Sequence, residues 1–266
     1  MKVCAVQLDV HIADRDYNTK NAAKQIELAM GSNPDVLVLP ELWDLGFYPT
    51  NVVELGDDGG KKAQAFLSEQ AARHNVNIVG GSIVRREGEK IWNTTYVFDR
   101  KGQQIATYDK IHLFSPSGEH VTFQAGNALN VFQLDGVPVG SVICYDMRFG
   151  ELIRSLALEG IKLLIAPAAW PHPRLPHWRL LAQARAVENQ FFVVAVNASG
   201  KSETLTYCGH SIMVNPWGDI IAEAGEGEQI LTGECDFGVV EDIRSRINVF
   251  RDRRHSLYTI NRDLQS

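Results

Sequence analysis

Cysteine is scarce in this chain, with four among 266 residues at positions 4, 144, 208 and 235. No two stand at the short spacing of a zinc cage or a redox CxxC pair. His172 and His177 are separated by prolines and cannot share one helical face, so no metal is implied, and no cofactor motif is present. Long apolar runs are also missing: nothing approaches the roughly 20 residues of a membrane-spanning helix, and no membrane association is expected. The opening segment, Met1 to Leu8, meets Asp9 too soon to be the apolar core of a signal sequence. A cytoplasmic location is therefore expected, in a reducing compartment where a free thiol survives. Positive charge is short as well. The net charge is −6, and the basic run Arg251-Asp-Arg-Arg254 is broken by an acid, which argues against nucleic-acid binding. Neither a G-x-S-x-G elbow nor a P-loop is present, so serine-hydrolase and nucleotide-dependent readings lack their anchors. There is no internal repeat, low-complexity tract or linker-like segment. With 45% hydrophobic content the chain can bury a large core, and a single domain over residues 1–266 is expected.

What is present is a thiol at an elbow. Val137-Pro-Val-Gly-Ser-Val-Ile143 reads as a strand, and Phe149, Leu152, Ile153, Leu156 and Ala157 recur at one-face helical spacing up to Gly160. Cys144-Tyr145 lies between them, where a strand end projects its side chain. A following helix would offer free N–H groups that favour a thiolate and a developing oxyanion. Two other segments pair an apolar or outer strand with a lone ionisable residue: Val36–Leu39 leads into Pro40-Glu41, and Gln103–Tyr108 ends at Asp109-Lys110. Chemistry in layered proteins collects at strand ends, so the acid, the amine and the thiol are candidates for one pocket.

These three segments, Leu-Pro-Glu41, Tyr-Asp-Lys110-Ile-His-Leu-Phe and Ile-Cys144-Tyr-Asp-Met-Arg148-Phe, in this order, resemble the three signatures of the nitrilase (carbon–nitrogen hydrolase) superfamily. The likeness extends through Ala-Pro-Ala-Ala-Trp170-Pro, His177-Trp178, Ala-Arg185-Ala-Val-Glu188-Asn189 and the late Gly209-His-Ser and Pro216-Trp-Gly-Asp segments. It implies an α+β fold, a four-layer αββα sandwich, with a homodimer formed through helices near the elbow and often through the C-terminal tail, here Asp242 to Ser266. Apolar Ile247, Val249, Phe250 and Leu257 in that tail suit such an interface. The pattern agrees with two helical stretches, Asn18–Met30 and Gly60–Arg73. It also agrees with apolar strands at 36–39, 76–83, 91–98, 137–143, 161–166, 191–197 and 210–214.

The residue types suit amide hydrolysis. A free thiol titrates near ~8.5, so a base or a positive field must help it at neutral pH. Glu41 fits as the base that takes the Cys144 proton and returns it to the departing amine. Lys110 carries only donors and fits the oxyanion, with the Tyr145 backbone N–H as a second donor. The family likeness implies that Glu119, in the loop after the lysine, supports Lys110. His112 reads as a hydrogen-bonded structural histidine.

Arg148 lies four residues after the nucleophile, where its guanidinium can return to the pocket and clasp a carboxylate. Together with Trp170-Pro-His-Pro-Arg174-Leu-Pro-His177-Trp178 it resembles the bacterial ω-amidase branch, which implies 2-oxoglutaramate and 2-oxosuccinamate as substrates. Arg174 is a candidate second anion contact. Trp43, Tyr48 and Trp170 are candidates for an aromatic wall, although core packing accounts for each equally well. Two alternatives stay open: an N-carbamoyl-amine or carbamoyl-amino-acid hydrolase of the same fold, and an inactive scaffold that binds a partner through the old pocket.

Overall fold

The computed structural model describes residues 1–201 and 205–258. In chain order its elements are β1 (Lys2–Gln7), α1 (Arg15–Ala29), β2 (Val36–Val38), α2 (Val52–Leu55), β3 (Asp57–Asp58), α3 (Lys61–His74), β4 (Asn77–Val79), β5 (Ile83–Glu87), β6 (Lys90–Phe98), β7 (Gln104–Asp109), α4 (Glu119–Thr122), β8 (Val131–Leu134), β9 (Val137–Ser141), α5 (Gly150–Leu158), β10 (Leu163–Ala168), α6 (Leu175–Asn189), β11 (Phe192–Asn197), β12 (Ile212–Val214), β13 (Ile220–Glu223), β14 (Gln229–Glu234) and α7 (Gly238–Arg246). An eight-stranded sheet runs β14-β1-β2-β4-β6-β5-β3 with β7 paired to β6, and a six-stranded sheet runs β13-β12-β11-β10-β9-β8. Each has a parallel centre, β1-β2-β4 and β9-β10-β11, flanked by antiparallel strands.

Period-two alternation along these strands builds the layers. On β1, Val3 and Ala5 face the other sheet, where they meet Leu163, Ile165, Val194 and Val196 in one cluster. Cys4 and Val6 point the other way, onto Ala22 and Ile26 of α1 and Leu67 and Ala71 of α3. The six-stranded sheet mirrors this. Leu164, Ala166, Val193 and Ala195 pack on Leu152, Ile153 and Leu156 of α5 and on Trp178, Ala182 and Ala186 of α6. The order is therefore helices, sheet, sheet, helices, and strands apolar on both faces are what such burial requires. Each fully buried Val or Leu in the inter-sheet layer contributes about 1.5–3 kcal/mol of transfer free energy.

The run 76–83, expected as one strand, is two, because Gly80 and Gly81 break it between β4 and β5. Gly81 has φ +60°, and a Cβ there would come within 2.0 Å of the Pro40 carbonyl. The turn thus presses directly on the segment that carries Glu41. Strands β8 and β14 and helix α7 have no counterpart in the sequence pattern; β8 and β14 are half-exposed edge strands, and β8 turns apolar Val131 outward while β14 buries Gly233. In the tail, Ile247 and Leu257 are exposed, whereas Phe250 packs on the guanidinium groups of Arg154 and Arg244. Residues 259–266 of the expected tail interface lie outside the described residues.

Candidate active site

The acid, the amine and the thiol meet where β2, β7, β9 and β10 end. Glu41 follows β2 and crosses to the other sheet: its backbone N–H donates to Ala168 O at 3.3 Å, and its Oε2 accepts from the Ala169 N–H at 2.8 Å. Ser82 fixes the chain around it, donating its N–H to Pro40 O and accepting the Leu42 N–H on its hydroxyl. Lys110 follows β7, and its Nζ donates to Glu41 Oε1 at 2.8 Å and to Glu119 Oε1 and Oε2 at 3.1 and 2.9 Å. Asn93 of β6 donates its Nδ2 to Glu41 Oε1 at 2.8 Å and to Glu119 Oε1 at 3.2 Å. Glu119, expected in a loop, opens the short helix α4 and accepts the Phe114 N–H at 2.6 Å. Glu41, Lys110 and Glu119 are all buried. Burial alone would lower the lysine, but the two carboxylates outweigh it and hold Lys110 well above the ordinary ammonium range.

Cys144 sits two residues beyond the Val142–Ile165 hydrogen bond, in the left-handed region with φ +47°, a conformation that a non-glycine residue adopts only when its surroundings impose it. Asp146 supplies the constraint. Its Oδ2 accepts from the Ile143 N–H at 3.0 Å and the Tyr108 hydroxyl at 2.8 Å, while its Oδ1 accepts the His112 N–H at 2.9 Å and lies 2.8 Å from His112 Nδ1. His112 is thus structural, stacked 3.5 Å from the Phe149 ring. The elbow differs from expectation in one respect. Cys144 opens a five-residue 3-10 turn, Cys144–Arg148, and the α-helix begins only at Gly150. The turn is too short to carry a large dipole, and the Asp146 carboxylate sits against its start. Burial, then the adjacent Glu41, push the Cys144 thiol well above its ordinary value, with Lys110 pulling less strongly the other way. Both causes favour the protonated thiol beside Glu41, and the short turn adds little positive field to oppose them.

A cavity of about 240 Å³ opens over the thiol, and Lys110, Cys144 and Tyr145 reach its floor. Tyr48, Trp170, Arg148 and Arg174 line it, as do Phe47 and Phe114. Trp43 does not. It is 1% exposed, donates its indole N–H to Gly80 O at 2.8 Å and packs on Phe66 under the helix layer, after Leu42 in the left-handed region at φ +47°. Phe47 and Phe114 supply the wall instead. Arg148 stacks 4.8 Å from the Trp170 ring centre and Arg174 lies 5.1 Å from that of Phe114. Arg185 of α6 donates to the carbonyls of Met147 and Arg148 at 2.8 and 3.1 Å, fixing the backbone that aims Arg148. Burial, then Arg174, lower Arg148 from the usual guanidinium range. Among the described lining residues there is no acid. Asn93, Asp146 and Arg185 carry no role in the sequence-based reading. An Asn inside a strand, where that residue is disfavoured, is the one local signal that pointed to any of them.

Comparison with known proteins gives a match to the carbon-nitrogen hydrolase family model over residues 2–245. A 2-oxoglutaramate amidase of Bacillus subtilis is 41% identical over 96% of this chain and 98% of its own length. The omega-amidase NIT2 of Danio rerio is 34% identical over 98% of this chain and 97% of its own. Among solved structures, Saccharomyces cerevisiae Nit3, a member of branch 10 of the nitrilase superfamily, superposes with a TM-score of 0.89 at 34% identity, covering 96% of each chain.

Proposed function

The chain belongs to the carbon–nitrogen hydrolase family and is an amide-hydrolysing enzyme, and from that premise we propose that it cleaves the terminal amide of small carboxylate-bearing amides of the 2-oxoglutaramate and 2-oxosuccinamate type. The observation that carries the substrate class is the pair of guanidinium groups, Arg148 and Arg174, on a cavity whose described lining contains no acid and whose floor is a thiol. An amide with a carboxylate at its far end neutralises that charge and sets its carbonyl over Cys144. Relatives named for 2-oxoglutaramate amidase and omega-amidase activity support the same substrate.

In the proposed mechanism Glu41 Oε2 takes the thiol proton as Cys144 Sγ attacks the amide carbon. Lys110 Nζ and the Tyr145 N–H stabilise the oxyanion, and Glu119 orients Lys110. Glu41 then returns the proton to the nitrogen, the C–N bond breaks, and ammonia leaves a thioester behind. A water that gives its proton to Glu41 attacks the thioester, and Cys144 departs, taking that proton back, while the carboxylic acid forms. No step requires a metal or cofactor. Residues 1–266 act as one domain in this reading, in the cytoplasm and as a homodimer. Leu180 and Val187 on one face of α6 and Trp217 beside them are 65%, 48% and 46% exposed, and Gln183 ties the Trp217 turn to the helix through Gly218 O, which supports α6 as the paired face. A monomeric mass in light scattering would remove the dimer.

The test is an ammonia-release screen over 2-oxoglutaramate, 2-oxosuccinamate, carbamoyl amines and nitriles, with Cys144→Ala as the blank. Release from the two oxo-amides alone upholds the reading. Inert oxo-amides, with carbamoyl compounds giving ammonia and carbon dioxide together, would replace it with the carbamoyl hydrolase. No turnover of any class would leave the inactive scaffold.

A further inference from the structure

We infer that Asn93 is a positioning residue for the proton transfer: its amide, donating to Glu41 and Glu119 at once, keeps the two carboxylates from sharing a proton and reserves Glu41 Oε2 for the thiol. The inference rests on the reading of Glu41 as proton acceptor.

Three observations converge. First, Glu41 Oε1 accepts from both Lys110 and Asn93 at 2.8 Å, which fills its two in-plane lone pairs, whereas among the described residues Oε2 takes only the Ala169 N–H at 2.8 Å and keeps one. Second, two buried carboxylates face a single lysine. Like charges held this close drive one group to take up a proton unless neutral donors are supplied, and Asn93 Nδ2 is the donor that both share. Third, the side chain is held at a cost. Asn93 is fully buried, and among the described residues its Oδ1 has no hydrogen-bond partner. Turning the amide over would aim that oxygen at two carboxylates, so the orientation is forced, and bridging the glutamates is what the side chain gains. The strand itself does not need it, because Lys110 N donates to the backbone carbonyl of Asn93 at 2.9 Å whatever the side chain. Local rules broken without a structural return are found at functional sites.

The titratable and charged groups around the amide are Glu41, Lys110 from the end of β7, Glu119 from α4 and Cys144 from the elbow, with the buried Tyr207 hydroxyl, which feels Glu41, behind them. Asn93→Ala and Asn93→Asp are compared with wild type for kcat and KM on 2-oxoglutaramate across pH, and for the pH dependence of Cys144 alkylation by iodoacetamide, with thermal unfolding measured on each. The expectation is a kcat loss of about tenfold or more with KM within about threefold, as for an interaction made to the proton-transfer group rather than to the substrate. In Asn93→Ala the acid limb of both profiles moves up by roughly one pH unit, the direction set by loss of a donor to a carboxylate. Asn93→Asp, which keeps the shape but turns the donor into an acceptor, loses more kcat than Asn93→Ala. A side chain that only filled space would give the reverse order, unshifted profiles and a loss explained by unfolding, and that result overturns the inference. The alkylation arm needs no substrate. If wild type leaves 2-oxoglutaramate untouched, the substrate assignment fails while the Asn93 result still stands or falls by itself.

Discussion

Replacing Arg148 by lysine isolates the claim that a planar cation selects the substrate. The guanidinium carbon lies over the Trp170 ring, 4.8 Å from its centre, with Nη2 3.3 Å from His177 Nδ1 and the residue's own carbonyl held by Arg185 at 3.1 Å, so it arrives pre-oriented. Lysine keeps the charge but presents a point, loses one of two parallel hydrogen bonds to a carboxylate and no longer matches the indole plane. One hydrogen bond to a charged group is worth about 1.5–3 kcal/mol, which corresponds to a rise in KM of roughly 10- to 150-fold. The assay is steady-state ammonia release from 2-oxoglutaramate and, in parallel, from a neutral amide of similar size such as butanamide. The neutral substrate makes no ion pair, so its KM should change by no more than about threefold. Arg148→Lys raising both KM values equally would mean that the residue shapes the pocket without reading the carboxylate, and the substrate class would lose its physical basis.

Three further outcomes follow from the geometry. Glu41→Gln keeps the shape but removes the proton acceptor and faces an amide toward donors on both sides, so kcat should fall by about 10²–10⁴-fold with little change in KM; a loss under tenfold in the same ammonia assay would remove Glu41 from the base role. Asp146→Ala strands the Ile143 N–H, the Tyr108 hydroxyl and the His112 N–H, and urea unfolding should show a destabilisation of about 3 kcal/mol or more; near-wild-type stability would mean that the elbow is held by something else. Asp44, buried against Arg15, is pushed up by burial to about 6 from 3.8. Its native form therefore binds more proton than the unfolded chain between those values, and its contribution to stability falls as pH rises through that window, by about 3 kcal/mol in all. The unfolding free energy of wild type relative to Asp44→Asn should decline from pH 4 to pH 6; a flat difference contradicts the shift.

Legibility differed by level. Sheets covered on both faces were readable because strands apolar on both faces, such as Val36–Val38 and Phe192–Asn197, must lie between other layers, and the helix faces of α1 and α3 repeat at the right spacing; the four-layer αββα order itself came from the family resemblance. Edge strands β8 and β14 are not legible because β8 turns apolar Val131 outward and β14 buries a glycine, Gly233, so the residue types blur the alternation that burial shows. Glu41, Lys110 and Cys144 stood out as lone ionisable residues at strand ends. For Trp43, pocket wall and core packing were equally open in the sequence, because a tryptophan two residues after a glutamate carries no mark of which way it faces. The protonation state of the thiol was also out of reach, since it depends on burial and on a glutamate 103 positions away in the chain.

Local chemistry, then, was settled by the order of the amino acids: which side chains can attack, donate or accept a proton, and which stretches must be buried, because these follow from residue type and period. Folding alone decided what those groups are to one another. Contact between Glu41, Asn93, Lys110, Glu119 and Cys144 joins segments that are remote in the chain, and only the packing of two sheets brings them into one water-poor space. There, electrostatics strong enough to choose which atom holds the proton can operate.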